Sequence, residues 1–194
     1  MKDDILLCGI DEAGRGPLAG PVCAAAVILP GDFPVWLLND SKKLRPAVRE
    51  ELKTLICSAS AAWGIGWASA AEIDEINILK ASLLAMKRAY EAMLEGHTGM
   101  LGAIRAVVDG LFVPDIPIPR EALVKADSKV PEVMAASILA KTARDRLMEY
   151  YGLFYPQYGY GKHKGYPTKA HREAVQRYGP SPIQRMSFRY ADSN

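Results

Sequence analysis

Four acidic residues follow short apolar runs, where a strand would end and leave its last side chains free to do chemistry. Asp11 and Glu12 follow the first of these runs, Asp109 follows a second and Asp127 a third. In an open α/β sheet, functional groups gather at the carboxyl ends of the strands, so the four carboxylates meet if the three strands are neighbours. Like charges a few ångströms apart raise one another's pKa, and such a cluster therefore indicates bound cations.

Each of these acids also has a simpler interpretation, because aspartate favours turns. For any one of them alone the turn is the better interpretation, and the coincidence of three strand ends favours a site without deciding it. If the acids bind a metal, a ligand set made only of carboxylate oxygens favours Mg²⁺ or Mn²⁺ over zinc. Successive side chains of a strand point to opposite faces, so Asp11 and Glu12 converge only if the strand ends or bulges beside Gly14.

The elements that would position these acids begin as strands and continue as alternating strands and helices. Apolar runs predict the strands, and apolar residues at steps of three and four predict the helices. A capping box from Ser69 to Glu72 marks the start of one long helix. We predict strands at 5–10, 21–29, 61–67, 106–108 and 122–126, and helices at 46–57, from 69 onward, at 130–151 and at 168–178. This order indicates an α/β domain with a mixed sheet whose first two strands form a hairpin.

Composition limits the class of protein. With 194 residues, 49% of them hydrophobic and 24% charged, the chain fits one soluble globular domain, 1–194, and we expect a monomer. No apolar run reaches the roughly 18 residues of a membrane-spanning helix, and the acidic start of the chain does not fit a secretory signal. Cys8, Cys23 and Cys57 lack metal-binding spacing, so we expect buried free thiols in a reducing compartment, the cytoplasm.

The charge of the chain is unevenly distributed. The net charge is only +2, but from residue 141 to the end there are 10 lysines and arginines against 4 acidic residues, and eight of the nine tyrosines follow residue 149. Basic side chains mixed with aromatic ones suit a phosphate backbone and stacked sugars or bases. A solvated C-terminal face explains the same pattern equally well.

Several motifs, in one order along nearly the whole chain, resemble those of the type 2 ribonucleases H, the ribonuclease HII family. The opening motif at 9–22 is Gly-Ile-Asp-Glu-Ala-Gly-Arg-Gly-Pro-Leu-Ala-Gly-Pro-Val. The others are Asn-Asp-Ser-Lys-Lys-Leu at 39–44, Glu-Ile-Asp-Glu-Ile-Asn-Ile-Leu at 72–79, Ala-Ala-Ser-Ile-Leu-Ala-Lys at 135–141 and the tyrosine-rich stretch at 154–168. Two departures, Leu111 where Asn is frequent and Ala126 where many relatives have Gly, remove no acid.

The resemblance implies a ribonuclease H-like fold, with a five-stranded mixed sheet and helices on both faces. It also implies a small C-terminal helical region, at about 150–194, that helps to grip the substrate. The family's four metal-binding carboxylates fall on Asp11, Glu12, Asp109 and Asp127, the acids already found at strand ends.

The substrate-binding residues that the resemblance implies lie in a loop and on one tyrosine. The family's Gly-Arg-Gly loop falls on Gly14, Arg15 and Gly16, and its contact to the ribonucleotide's 2′-hydroxyl falls on Tyr166. The implied enzyme is an endonuclease that cuts the RNA strand of RNA–DNA hybrids and also cuts at ribonucleotides embedded in duplex DNA. Its expected products carry 5′-phosphate and 3′-hydroxyl ends.

Further polar residues are candidates for phosphate contacts. Ser137, Lys141 and Arg144 recur at helical spacing and share one face, which could hold phosphates or could equally be solvated. Lys43 is another phosphate candidate. His163 lies among basic loop residues, but a lone loop histidine is usually solvated, so we assign it no role.

The expected mechanism uses metal ions and no side-chain nucleophile. Phosphodiester hydrolysis needs an attacking water, neutralised charge at phosphorus and help for the departing 3′-oxygen, and two divalent ions can supply all three. We expect Asp11, central on the first strand, to bind both ions. Two rival classes stay open: a nucleotide-binding loop at 14–20, whose glycine spacing misses the usual motif by one residue, and a non-catalytic nucleic-acid-binding module in which the acids are dispensable.

Overall fold

Apolar strands form the middle of a five-stranded sheet in the computed structural model, which describes residues 5–39, 41, 44–97 and 102–188. The strands are β1 (Leu6–Ala13), β2 (Val22–Ile28), β3 (Ala62–Ala68), β4 (Ile104–Asp109) and β5 (Arg120–Leu123). Their order in the sheet is β3-β2-β1-β4-β5. The first two strands form the predicted antiparallel pair, with β3 antiparallel to β2, whereas β4 and β5 extend the sheet in parallel from β1.

Helices cover both faces of this sheet, so the predicted α/β fold with a mixed sheet is confirmed. The long helix α2 (Ala70–Gly96) packs on one face of the sheet, and α1 (Pro46–Ala59) and α3 (Pro131–Phe154) pack together on the other. Each face has its own cluster of buried apolar side chains. None of the helices in the described part of the chain is both long and apolar enough to cross a bilayer. The α-helices are α1 (Pro46–Ala59), α2 (Ala70–Gly96), α3 (Pro131–Phe154), α4 (Tyr160–His163) and α5 (Lys169–Tyr178), with short 3₁₀ turns at Val35–Leu37, Ala126–Ser128 and Pro156–Tyr158.

The predicted capping box begins α2. The Ser69 hydroxyl accepts the Glu72 amide at 3.1 Å, and the Glu72 carboxylate accepts the Ser69 amide at 2.7 Å. The hydrogen bond from Arg88, and to a smaller extent the hydrogen bonds from Ser69, lower the pKa of the Glu72 carboxyl to about 2. The helix is kinked at Asn77, which has a φ of 69°, and the Asn77 side chain caps the continuing helix by accepting the amides of the second and third residues after it.

The acid at position 127 does not end a strand, contrary to the prediction of a strand over 122–126. Strand β5 pairs with β4 only as far as Leu123, opposite Asp109, where β4 itself ends. The chain then turns through Lys125, whose φ of 59° is left-handed, into the 3₁₀ turn Ala126–Ser128. Asp127 therefore lies in a turn that follows β5 and not at the end of a strand.

The C-terminal helices pack on the segment that joins β1 to β2. Tyr158, Tyr160 and Met148 form a buried cluster with Ala19 of that segment. An isolated antiparallel bridge joins Ala19 to Gln184, close to the end of the described chain. The two ends of the fold therefore meet beside the Gly-Arg-Gly loop.

Two glycines of β3 are explained by the close approach of α2. A Cβ at Gly66 would lie 2.2 Å from the carbonyl oxygen of Ala85 and 2.3 Å from the amide nitrogen of Ala89. A Cβ at Gly64 would lie 2.2 Å from the amide nitrogen of Met93. The glycines that weaken the apolar pattern of this strand therefore allow the helix backbone to contact the sheet backbone directly.

Gly66→Ala should destabilise the fold, because the helix backbone cannot move away without losing its packing. We expect a loss of about 1–3 kcal/mol in the free energy of unfolding, the usual cost of overpacking, measured by urea denaturation. Gly96→Ala, at the end of the same helix with open space around it, is the matched control and should not destabilise the protein. Equal midpoints for the two variants would contradict this account of the β3–α2 contact.

Candidate active site

Three aspartates converge at one edge of the sheet. One carboxylate oxygen from each of Asp11, Asp109 and Asp127 lies within 4.8 Å of the others. Strands β1 and β4 are parallel neighbours whose last pair is Ile10 with Val108, so the next residue of each strand brings Asp11 beside Asp109. Asp127 joins them from the 3₁₀ turn. The three acids that the sequence placed after different apolar runs are thus brought together.

Backbone amides fix two of these carboxylates in place. The Glu12 amide donates to Asp11 at 2.7 Å, and the Ala126 amide donates to Asp109 at 2.7 Å. Asp11 is only 5% exposed. Burial raises the pKa of Asp11 well above its usual range, and the charges of Glu12 and Asp109 raise it further. The cluster therefore holds negative charge at a free-energy cost that a bound cation would offset.

Glu12 lies outside the group of three, because strand β1 neither ends nor bulges at Glu12, which was the condition for its convergence with Asp11. Strand β1 continues in regular register, with Asp11 opposite Ala25 and Glu12 opposite Ala24, so adjacent side chains keep to opposite faces. One Glu12 oxygen accepts a hydrogen bond from Arg15 at 3.3 Å. Burial still raises the pKa of Glu12, although the charge of Arg15 opposes this.

The other oxygen of Glu12 is free to accept a ligand. This Oε2 atom is buried and has no hydrogen-bond partner among the described residues. A buried carboxylate oxygen without a donor is costly unless a cation or water satisfies it. The three aspartates form an oxygen-only donor set of the kind that suits Mg²⁺ or Mn²⁺, and the unpaired Glu12 oxygen is a candidate for a further ligand.

A groove of about 280 Å³ lies beside the acids and gathers most of the predicted substrate-binding residues. Tyr166, 41% exposed, forms one wall. The Lys141 ammonium lies 5.9 Å from the centre of the Tyr166 ring and 2.8 Å from Asp145. The lining consists of Glu12, Ala13, the loop 14–16, Ser41, Ser137, Lys141 and Tyr166.

Ser41 is a groove residue that the sequence prediction did not include. Its hydroxyl lies 2.7 Å from the Ser137 hydroxyl, and both side chains are buried. Arg49 of α1 donates to the Ser41 carbonyl at 3.1 Å and so fastens this segment to the helix. The motif at 39–44 contained the signal for Ser41. The other candidate from that motif, Lys43, lies outside the described residues.

Arg144 does not face the groove, and the prediction that it holds a phosphate is wrong for this structure. The side chain is 1% exposed, because it runs beneath the segment between β1 and β2. Its guanidinium donates to the carbonyls of Pro21, Ala19 and Lys164 at 2.9, 3.1 and 3.1 Å. Gly14, with a φ of 99°, packs directly on it, since a Cβ there would lie 1.9 Å from the Arg144 Nε. Gly14 is therefore required by this packing, whatever approaches from the groove.

His163 is a structural residue, which corrects the expectation of a solvated loop histidine. Its Nδ1 accepts the Gly165 amide at 3.2 Å, so its Nε2 carries the hydrogen that is donated to the Tyr158 carbonyl at 2.7 Å. The ring stacks on His171 at 4.6 Å, and the His171 Nδ1 lies 3.0 Å from the Tyr166 carbonyl oxygen. Burial lowers the pKa of both histidines. Together they shape the turn that presents Tyr166.

Comparison with known proteins gives one consistent result. The family profile of ribonuclease HII matches residues 8–191. The ribonuclease HII of Treponema denticola is 57% identical over 193 residues, covering 94% of this chain and 98% of that protein.

Solved structures agree in fold. The ribonuclease H2 of Pyrococcus horikoshii is 27% identical, with a TM-score of 0.71 over 95% of this chain and 94% of that one. The ribonuclease HII of Archaeoglobus fulgidus, solved in complex with PCNA, is 28% identical, with a TM-score of 0.74 over 98% of both chains. The chain therefore belongs to the ribonuclease HII family, endoribonucleases with ribonuclease H activity on RNA–DNA hybrids.

Proposed function

We propose that the enzyme cuts both the RNA strand of long hybrids and single ribonucleotides embedded in duplex DNA, leaving 5′-phosphate and 3′-hydroxyl ends. The convergence of Asp11, Asp109 and Asp127 beside a groove walled by Tyr166 supports this most directly. The acids can hold metal at the phosphate while the groove receives the sugar next to it. The non-catalytic alternative leaves the buried like charges of the acids unexplained.

The metal site in this proposal uses all four acids. Asp11, central on the first strand, would hold both ions, and Glu12, Asp109 and Asp127 would supply the remaining protein ligands. When bound there, divalent ions such as Mg²⁺ or Mn²⁺ would activate a water and neutralise charge on the phosphate and the leaving oxygen. The amides of Glu12 and Ala126 hold two of the carboxylates in position for this. Metal affinity should rise with pH, since the raised pKa of Asp11 makes metal compete with a proton.

The groove recognises the sugar in this proposal. RNA differs from DNA at the 2′-hydroxyl, so an enzyme that finds one ribonucleotide must read that group. The Tyr166 phenol and the backbone of the loop 14–16 line the same cavity, where they can reach one sugar from two sides. Lys141 and Arg15 lie at the same cavity with cationic side chains for the flanking phosphates, and Ser137 provides a hydroxyl near Asp11.

We further infer a monomer that works in the cytoplasm. The cysteines Cys8, Cys23 and Cys57 are free thiols in the structure. Cys8 and Cys23 are fully buried as the sequence predicted, whereas Cys57 is only partly buried, contrary to that prediction. Free thiols fit a reducing compartment.

Asp109→Asn should abolish cleavage while the fold survives, because it keeps the shape of the side chain and removes one ligand charge. We expect at least a ~100-fold loss of turnover with Mg²⁺ or Mn²⁺, since changing even an outer partner of a metal ligand costs about 10–100-fold. Cleavage of a labelled hybrid and Mn²⁺ binding by calorimetry are the measurements. Asp115→Asn, on a side chain that is 94% exposed, is the matched control and should act like the wild type. Full activity of Asp109→Asn would remove this residue from the metal site.

Tyr166→Phe separates sugar recognition from packing, because it keeps the ring and removes only the hydroxyl. Loss of one hydrogen bond worth about 0.5–1.5 kcal/mol corresponds to a roughly two- to twelvefold slower cleavage at a single embedded ribonucleotide. We expect unchanged melting and Mn²⁺ affinity. Tyr178→Phe, on another half-exposed tyrosine of the C-terminal region, is the control. If Tyr166→Phe cleaves this substrate at the wild-type rate, recognition of the sugar rests on the loop 14–16 alone.

A further inference from the structure

We propose that Arg185 is a positioning residue for the Gly-Arg-Gly loop, and that Asp74, remote from the groove, holds Arg185 in place. This inference rests on the proposed role of the loop 14–16 in holding the ribonucleotide. It assigns a task to the C-terminal segment of the described chain and to the motif at 72–79, neither of which the metal site or the groove uses.

Arg185 binds the backbone of the Gly-Arg-Gly loop through its side chain. Its side chain is fully buried, and its three guanidinium nitrogens each donate to a different carbonyl of the segment between β1 and β2. The bonds run to Gly20 at 2.8 Å, to Arg15 at 2.9 Å and to Gly14 at 2.6 Å. Two of these three acceptors belong to the groove loop itself. A planar guanidinium can satisfy three separated acceptors at once, which the single ammonium of a lysine cannot do in the same geometry.

The backbone around Arg185 fixes where the guanidinium can reach. The Arg185 amide donates to the Leu18 carbonyl at 2.9 Å, and the Gly20 amide donates to the Ile183 carbonyl at 2.8 Å. The Gln184 side chain adds a bond to the same Leu18 carbonyl at 2.7 Å. The segment 183–185 is therefore paired with 18–20 like a short strand.

Asp74 anchors the turn that follows Arg185. Its carboxylate accepts the Met186 amide at 2.8 Å, the Ser187 amide at 2.8 Å and the Ser187 hydroxyl at 2.6 Å. Burial opposes the ionised form, but these bonds outweigh it and lower the pKa of Asp74. The Phe188 ring, 5.1 Å from the Arg185 guanidinium carbon, covers the guanidinium in the same turn. Asp74 of helix α2 thus fixes the turn that follows Arg185, and Arg185 in turn fixes the loop 14–16 through its hydrogen bonds to the loop carbonyls.

The physical consequence concerns turnover more than affinity. Phosphate contacts supply most of the affinity of a protein for a nucleic acid. The position of the ribonucleotide relative to the carboxylates depends on the loop, and a misplacement of about 1 Å can cost roughly 100-fold in rate. A loosened loop should therefore lower kcat while KM changes little.

The test compares Arg185→Lys, Asp74→Asn, Asp74→Ala and the double variant Asp74→Ala/Arg185→Lys. Arg177→Lys and Glu75→Ala are matched controls on exposed residues away from the loop. The measurements are kcat and KM on a long RNA–DNA hybrid and on a duplex with one ribonucleotide. They are accompanied by Mn²⁺ affinity, the melting temperature and the ¹⁵N amide resonances of Gly14 and Gly16.

We expect Arg185→Lys to lower kcat by about 10- to 100-fold and Asp74→Ala by about three- to tenfold, with KM within about threefold. Asp74→Asn, which keeps one acceptor oxygen, should fall between Asp74→Ala and the wild type. The double variant should lose no more than Arg185→Lys alone, because two residues that act through one contact are not additive. Mn²⁺ affinity should be unchanged, while the Gly14 and Gly16 resonances should shift or broaden in the variants and not in the controls.

Three outcomes would overturn the inference. They are wild-type kcat in Arg185→Lys, unchanged Gly14 and Gly16 resonances, or losses that multiply in the double variant. If Arg185→Lys fails to fold, Asp74→Ala on the surface of α2 decides the matter by the same kinetics and resonances. A wild-type enzyme that cuts the hybrid but not the single ribonucleotide contradicts the proposed function, and the resonances still test the inference.

Discussion

The confinement of carboxylates in one small, partly buried cluster is the constraint on which the rest of the structure depends, because burial, and then repulsion by neighbouring charges, disfavours the ionised form of Asp11. Parallel pairing of β1 with β4 brings Asp11 beside Asp109, and the turn after β5 adds Asp127 within 4.8 Å. The sheet can hold these charges together only because its two faces are covered by large apolar clusters, whose burial provides the opposing free energy. A bound divalent ion would offset this cost, so metal should stabilise the fold.

A second constraint shapes the groove beside the acids. The segment between β1 and β2 carries the loop 14–16, which lines this groove. Two buried guanidiniums, Arg144 and Arg185, fasten this segment through its carbonyls. They do so although burial and the charge of Arg144 lower the pKa of Arg185 to about 9. Both guanidiniums are satisfied by neutral carbonyl oxygens. A carboxylate partner in their place would add a negative charge beside the acid cluster and would compete with it for divalent ions.

The sequence predicts much of the fold and of the metal cluster, because apolar periodicity and strand-end acids are local signals. It cannot predict contacts made across the fold. Arg144 occupies a helix face that could equally be solvated, and only tertiary packing turns it toward the carbonyls beneath the loop. Arg185 lies outside the motifs found in the sequence. Its contact to the Arg15 carbonyl spans 170 residues of chain, so no local pattern predicts it. The regular continuation of β1 through Glu12 also depends on pairing with β2, which a run of residues does not reveal.

The melting temperature of Asp11→Asn, with and without Mn²⁺, tests the central claim most directly. If the charge held at Asp11 is the main cost of the site, Asp11→Asn should melt higher than the wild type in a chelating buffer, because it removes a charge that burial, and then repulsion by Glu12 and Asp109, disfavours. The same change should abolish most of the stabilisation that Mn²⁺ gives the wild type. Asp11→Asn melting below the wild type in chelator, with the full Mn²⁺ shift retained, would contradict the account.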